Sequence, residues 1–265
     1  MTDKTLTDVD IRDAATALDV EVAAVKAILD VEAAGRGFLD NGQVKLLFEA
    51  HHFSRLTDGR FDASHPDISS PTWNRDLYVG GAGEHERLQR ALELDAKAAL
   101  QSASYGLGQI MGFNHDLAGF RHVEEFYNDQ KHSERRHLMA LVRYIKARGL
   151  DGYLQDRDWA GFAERYNGPG YAEHDYDGRL ARAYAAHQAG IADLPTLRRG
   201  SQGAAVQALQ RALSLRPIDG IFGPGTLDAV RTWQYTQDDL QPDGVVGPRT
   251  WAALAETHDL DLAAA

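Results

Sequence analysis

The chain reads as a mainly α protein with a small β-hairpin, followed by a separate all-α unit of three short helices. Three observations predict this. Apolar residues recur at helical spacing in several segments of the first 190 residues, the Asn41-Gly42 pair separates two runs containing apolar residues, and a Gly-Pro turn recurs near the end.

The first informative helix lies between Asp19 and Gly35. Val22, Val25 and Leu29 follow one another at steps of three and four, and the next position on that face is Glu32. A carboxylate is thus aimed where a core residue belongs. Burial there disfavours the charged form and raises the pKa, which is how a Glu becomes a general acid near neutral pH. The competing reading is a helix-end Glu whose carboxylate turns out to water.

The next segment, Gly35 to Glu49, contains Asn41-Gly42, a pair that tolerates the positive φ of a type I′ hairpin turn. A second acid, Glu49, ends the returning strand on the face opposite Leu46 and Phe48 if side chains alternate. Glycosidic bond cleavage commonly uses two such carboxylates: one protonates the leaving oxygen, and the other activates water or attacks the sugar. Glu49 could equally be a strand-end surface acid, or pair with Lys45 or Arg55.

Two distant segments carry groups suited to a sugar site. Ser104 to Asn114 mixes three glycines, which would let backbone approach a ligand, with Tyr105 and the amides of Gln109 and Asn114. Glu164 to Tyr171 ends a helix in which Trp159, Phe162 and Tyr166 share a face, and Asn167 precedes the stop Gly168-Pro169-Gly170. Tyr105, Gln109, Asn114, Tyr166 and Asn167 are the candidates to line a groove. His132 and His137 share a helix with Leu138, Leu141, Val142 and Ile145, and Glu134-Arg135-Arg136-His137 is expected to be its solvated face. Adjacent His51 and His52 should diverge, and His132 and His137 are wrongly spaced, so no metal site is expected.

The end of the chain holds an internal repeat. Asp219-Gly-Ile-Phe-Gly-Pro-Gly-Thr226 recurs as Asp243-Gly-Val-Val-Gly-Pro-Arg-Thr250, 24 residues later. Each copy predicts a turn into a helix, with Thr as N-cap and with Leu227, Val230 and Trp233, or Trp251 and Leu254, as the apolar face. Val206, Leu209 and Leu213 mark a preceding helix. The three make a unit of roughly 65 residues, near the lower size limit for an independent core.

As a set, these segments resemble known families. A Glu ending a helix, then a Ser-x-Gly-Leu-x-Gln segment, then Tyr-Asn-Gly is the order of the lysozyme-like superfamily that cleaves peptidoglycan. Val31 to Phe38, Leu46 to His51 and Tyr105 to Asn114 are similar to the N-acetylmuramidase domain of modular phage endolysins. The likeness runs from about Asp8 to His187. It implies a lysozyme-like α+β fold, hydrolysis of the β-1,4 bond between N-acetylmuramic acid and N-acetylglucosamine, Glu32 as catalytic acid and Glu49 as its partner. Where Ser or Gly often follows the catalytic Glu in that family, Ala33 and Ala34 stand here. Leu197 to Glu256 resembles the common peptidoglycan-binding domain. The expected domains are therefore 1–190, catalytic, and 197–265, wall-binding, with a boundary near Ala189 to Pro195.

Composition narrows the rest. The net charge of −11, with −9 before Leu197 and −2 after, gives no basic face for nucleic acid and no attraction to the anionic wall. No apolar run reaches the ~20 residues needed to span a bilayer, and Met1 to Asp10 lacks a signal peptide's apolar core. Zero cysteines exclude disulfides. The expected protein is a monomer without cofactor or metal, with bacterial peptidoglycan as partner, held in a host cytoplasm until released to the wall. A lytic transglycosylase, which needs no second carboxylate, and a non-catalytic wall-binding protein are the alternatives.

Overall fold

The computed structural model describes residues 4–32, 36–190, 194–237 and 240–258. The chain forms two compact units, one up to Leu180 and one from Ala181 onward. This division falls inside a helix, upstream of the boundary expected near Ala189 to Pro195, where residues 191–193 lie outside the described set.

The first unit begins with α1 (Asp8–Leu18), started by a capping box between Thr7 and Asp10. After it comes α2 (Val22–Glu32), which buries Val25 and Ile28 as its period predicts. The chain then turns back in a hairpin joined by a single Phe38–Val44 bridge. The expected two-residue Asn-Gly turn is a three-residue loop instead. Leu39 N–H donates to Gln43 O (2.8 Å), Gly42 N–H donates to Leu39 O (2.8 Å), and Gly42 alone of the pair has positive φ, 79°.

Beyond the hairpin run β1 (Leu46–Phe48) and α3 (Ala50–Leu56). An irregular stretch leads to α4 (Gly83–Leu94) and α5 (Ala96–Gln101), then β2 (Ala103–Tyr105) and β3 (Ile110–Met111). The strands form one antiparallel sheet in the order β1-β2-β3, with Leu46 opposite Tyr105 and Phe48 opposite Ala103. The Gly-rich segment is therefore the second hairpin of this sheet. Its glycines serve close internal packing: a side chain on Gly106 or Gly112 would collide with the His137 ring or the Leu100 carbonyl. The unit continues through α6 (Val123–Gln130), α7 (Glu134–Ala147), α8 (Asp151–Gln155) and α9 (Trp159–Asn167) and ends within α10 (Tyr176–Gln188). Ile28, Phe48, Phe53, Phe126, Leu138 and Phe162 sit at the centre of its core.

The solvated face expected on α7 is half buried. Glu134 accepts the Leu6 and Gly37 backbone N–H groups (3.0 and 2.8 Å), and His137 is enclosed beneath Phe38 with its ring stacked at 4.9 Å. Glu134 thus serves as an internal brace because the N-terminal segment and the incoming hairpin each bring an unpaired N–H group to it. His51 and His52 do not diverge either. They occupy the first turn of α3, and their ring centroids lie 4.1 Å apart.

The second unit is the expected three helices: α11 (Ala204–Ala212), α12 (Pro224–Tyr235) and α13 (Pro248–Thr257). Trp251, Phe222, Val206 and Leu209 form its centre. Thr226 and Thr250 are not N-caps. Pro224 and Pro248 open the helices, and Gly223 and Gly247 take the cap positions. Each Thr is instead part of a clamp. The Gln210 amide donates to Asp219 (2.8 Å) and Thr226 (3.4 Å) and accepts the Gly220 N–H (2.9 Å). Gln234 repeats every contact with Asp243, Thr250 and Gly244. A buried amide thereby satisfies the tight Asp-Gly turn that the repeat spells out.

Candidate active site

Glu32 is the last residue of α2, where unpaired helix carbonyls already disfavour an anion. Its Oε1 is buried and has no hydrogen-bond partner among the described residues. Burial pushes the carboxyl from 4.5 up to about 7, while the Asn167 side-chain hydrogen bond and the Arg179 charge oppose that rise. At neutral pH a large fraction of Glu32 is therefore protonated. Arg179, on α10, also reaches the Val31 carbonyl at 3.4 Å, which holds the helix end beside it.

Tyr166 belongs to this environment but not as a free sugar platform. Its ring stacks on Phe162 at 5.3 Å and meets the edge of Tyr144, and its hydroxyl donates to Gly108 O at 3.4 Å. Burial, and then the nearby Glu32 charge, raise its pKa well above the ordinary tyrosine value. The three segments singled out in the sequence thus meet: α2 through Glu32, the β2–β3 hairpin through Gly108, and the end of α9 through Tyr166 and Asn167. Asn167 is exposed and reaches Glu32 directly.

The remaining candidates divide. Tyr105 is 0% exposed, donates its hydroxyl to Leu100 O (2.8 Å) and packs against Phe126, so it is a core residue with no face for a sugar. This corrects its placement in the groove, and the reason is that strand alternation turns it inward on β2. Gln109 adopts φ 44° and uses its amide inside the hairpin, accepting from Ser104 (3.0 Å) and donating to Gly106 O (2.7 Å). It braces the β2–β3 turn. Asn114 lies partly buried in the 3-10 turn Gly112–Asn114, and no hydrogen bond links its side chain to either carboxylate among the described residues.

Glu49 follows β1, and its N–H donates to Ser102 O (2.9 Å). Its Oε2 accepts the Tyr78 hydroxyl at 2.5 Å and lies 3.3 Å from His51 Nδ1. Arg55, one of the partners offered by sequence proximity, instead approaches His52 Nδ1 at 2.9 Å. Tyr78 holds its proton firmly: burial first, then the Glu49 carboxylate, push it up to about 12. His52 is pushed down to about 4 by burial and by the charges of His51 and Arg55, so it is neutral at ordinary pH.

A buried ion pair anchors this second group. Glu84 accepts N–H groups from Phe48 (3.1 Å), Val79 (2.8 Å) and Gly80 (3.0 Å), and Arg87 donates to Glu84 (2.8 Å) and to Phe48 O (2.9 Å). The residues before Glu49 and after Tyr78 are thereby fixed to one carboxylate. Sequence reasoning missed Tyr78, Glu84, Arg87 and Arg179. The one available signal was the acid and base three residues apart at 84 and 87, which ordinarily marks an exposed helix pair. Among the described residues no group of His, Asp and Glu is arranged to hold a metal ion, and no helix is long and apolar enough to cross a membrane.

Comparison with known proteins identifies the family. The sequence model of the N-acetylmuramidase family matches residues 21–188, and that of the peptidoglycan-binding domain matches residues 202–254. The crystal structure of an endolysin from Burkholderia phage AP3 is similar, with a TM-score of 0.66 and 37% sequence identity over 71% of this chain and 73% of that one. An uncharacterised protein of Kitasatospora aureofaciens is 50% identical over 66 residues, which are 23% of this chain and 55% of that protein. The chain therefore spans about half the length of this curated relative. With more than half of its length matched by one family, and a wall-binding module after it, the chain belongs to the N-acetylmuramidase family and has the modular architecture of an endolysin.

Proposed function

We propose that the chain is an endolysin-type muramidase that hydrolyses the β-1,4 bond between N-acetylmuramic acid and N-acetylglucosamine in bacterial peptidoglycan. The observation that carries this is the Glu32 carboxyl, raised to about 7 with one oxygen buried and unpartnered. Such a group is protonated when substrate arrives and has a free oxygen from which to donate. Glu32 delivers the proton to the departing glycosidic oxygen. Asn167 holds its other side in place, and Arg179 stabilises the carboxylate left behind.

Glu49 is the second carboxylate. Its charge is oriented by the Tyr78 hydroxyl and His51, so that it directs water to the anomeric carbon or stabilises the oxocarbenium-like transition state. An inverting hydrolase places the two carboxyls roughly 6.5–9.5 Å apart across the substrate, and a retaining one about 5–5.5 Å apart. The second unit supplies wall affinity that the net charge of −11 cannot. Its open groove of about 420 Å³, lined by Leu213, Thr232, Trp233, Thr236 and His258, is the surface for that contact.

Mass spectrometry of sacculi digested by the full chain tests the reading. Reducing muramic acid ends are expected. Anhydro-muramic ends would replace hydrolysis by transglycosylation, and cut peptides with intact glycan would overturn both.

A further inference from the structure

Trp73 is 60% exposed, the most exposed tryptophan recorded among large hydrophobic side chains. It lies just before the 3-10 turn Arg75–Leu77, whose N-cap Asn74 accepts the Asp76 N–H (2.9 Å). An indole this open to water is disfavoured by its apolar area and is usually free to swing. This one is not free. Its Nε1–H donates to the Tyr78 hydroxyl at 2.8 Å, with the ring centroids 6.4 Å apart, and the same hydroxyl donates to Glu49 Oε2 at 2.5 Å.

The Trp73 ring is thus tied by its polar edge to the second carboxylate, through one side chain, while its apolar face is left to solvent. Val79, on the far side of Tyr78 in sequence, is exposed as well. A pyranose has a complementary surface: its ring C–H groups form an apolar face that packs on an aromatic plane, while its hydroxyls and N-acetyl group remain hydrated.

We propose that Trp73 is the stacking platform of a sugar subsite beside Glu49, and that its occupant is an N-acetylhexosamine residue of the β-1,4-linked glycan strand. This rests on the muramidase reading above. Trp73 acts on affinity, and Tyr78 is a positioning residue.

The test uses the full chain and peptide-free glycan strands as probe. Trp73→Ala is expected to raise KM by about tenfold or more while kcat stays within about threefold, and Trp73→Phe, which keeps an aromatic face, recovers most of the lost affinity. A Trp73→Ala KM within about twofold of the parent overturns the subsite. Because Glu32→Gln should bind without rapid turnover, adding strands to a chain carrying Glu32→Gln and Trp233→Phe, the second change silencing the indole of the wall-contact groove, should shift tryptophan emission to the blue, and adding Trp73→Phe should abolish the shift. No shift in that double variant, or one that survives the loss of Trp73, overturns the proposal. Failure of the muramidase reading shows separately, as unmodified glycan in the parent digest.

Discussion

At the scale of single residues, the acid role proposed for Glu32 comes with a thermodynamic consequence. The activity that depends on its protonated form should fall as pH rises through about 7. Glu32→Gln, which keeps the shape and loses the proton, should lower turnover by about 10²–10⁴-fold, measured as release of reducing ends from sacculi. The same shift predicts a stability effect of definite sign. The folded chain holds the proton up to about pH 7, and the unfolded chain only to about 4.5, so the folded state binds more protons between those values. Stability from this group is therefore complete below about pH 4.5 and declines as pH rises to 7. Glu32→Gln removes the decline. Denaturant unfolding should find the variant and parent similar at acid pH, with the variant more stable by up to about 3 kcal/mol at pH 8. Equal differences at both pH values would mean that Glu32 is not desolvated. Tyr78→Phe probes the other carboxylate. Removing the hydroxyl should cut kcat by about tenfold and leave KM nearly unchanged, because Tyr78 orients Glu49 rather than contacting the sugar.

At the scale of elements, Glu49 follows a strand of only three residues, and the Glu84–Arg87 pair holds the end of that strand. Three backbone N–H groups and two carbonyls from three separate segments converge on it. Glu84→Gln should cost about 3–5 kcal/mol in denaturant unfolding, since it leaves Arg87 buried without its counter-charge. A loss below about 1 kcal/mol would show that water replaces the pair. None of this was legible in the sequence, and the reason is physical. Periodicity reports which face of an element is apolar, and Glu84 and Arg87 read as the polar face of α4. The clue to their burial is the irregular stretch from residue 57 to 82, which has no period to read. Glu32 was legible for the opposite reason, because it interrupts a clear apolar stripe. Tyr105 misled because its neighbours Gly106 and Gly108 suggested an open loop. They pack instead against His137 and Leu141, so the strand before them turns its ring inward.

At the scale of the whole molecule, the two-module plan was readable because each module carries its own repeating or ordered signature. The point of division was not. Residues near Gly190 look like a break, whereas Ala186 and Leu194 already pack with the second core and Pro195 O accepts the Trp251 indole N–H at 3.1 Å. A fragment of residues 181–265 should therefore fold, co-sediment with purified sacculi and leave them intact. One starting at Leu197 lacks those contacts and should unfold at lower temperature. Soluble, folded 181–265 that stays in the supernatant would defeat the wall-binding role. The paired clamps in this unit also bear on how such a module can change. In each, the glutamine, aspartate and threonine recur at the same 24-residue interval, and every polar partner lies within one copy. A duplication or deletion of one interval would carry a complete set of partners with it.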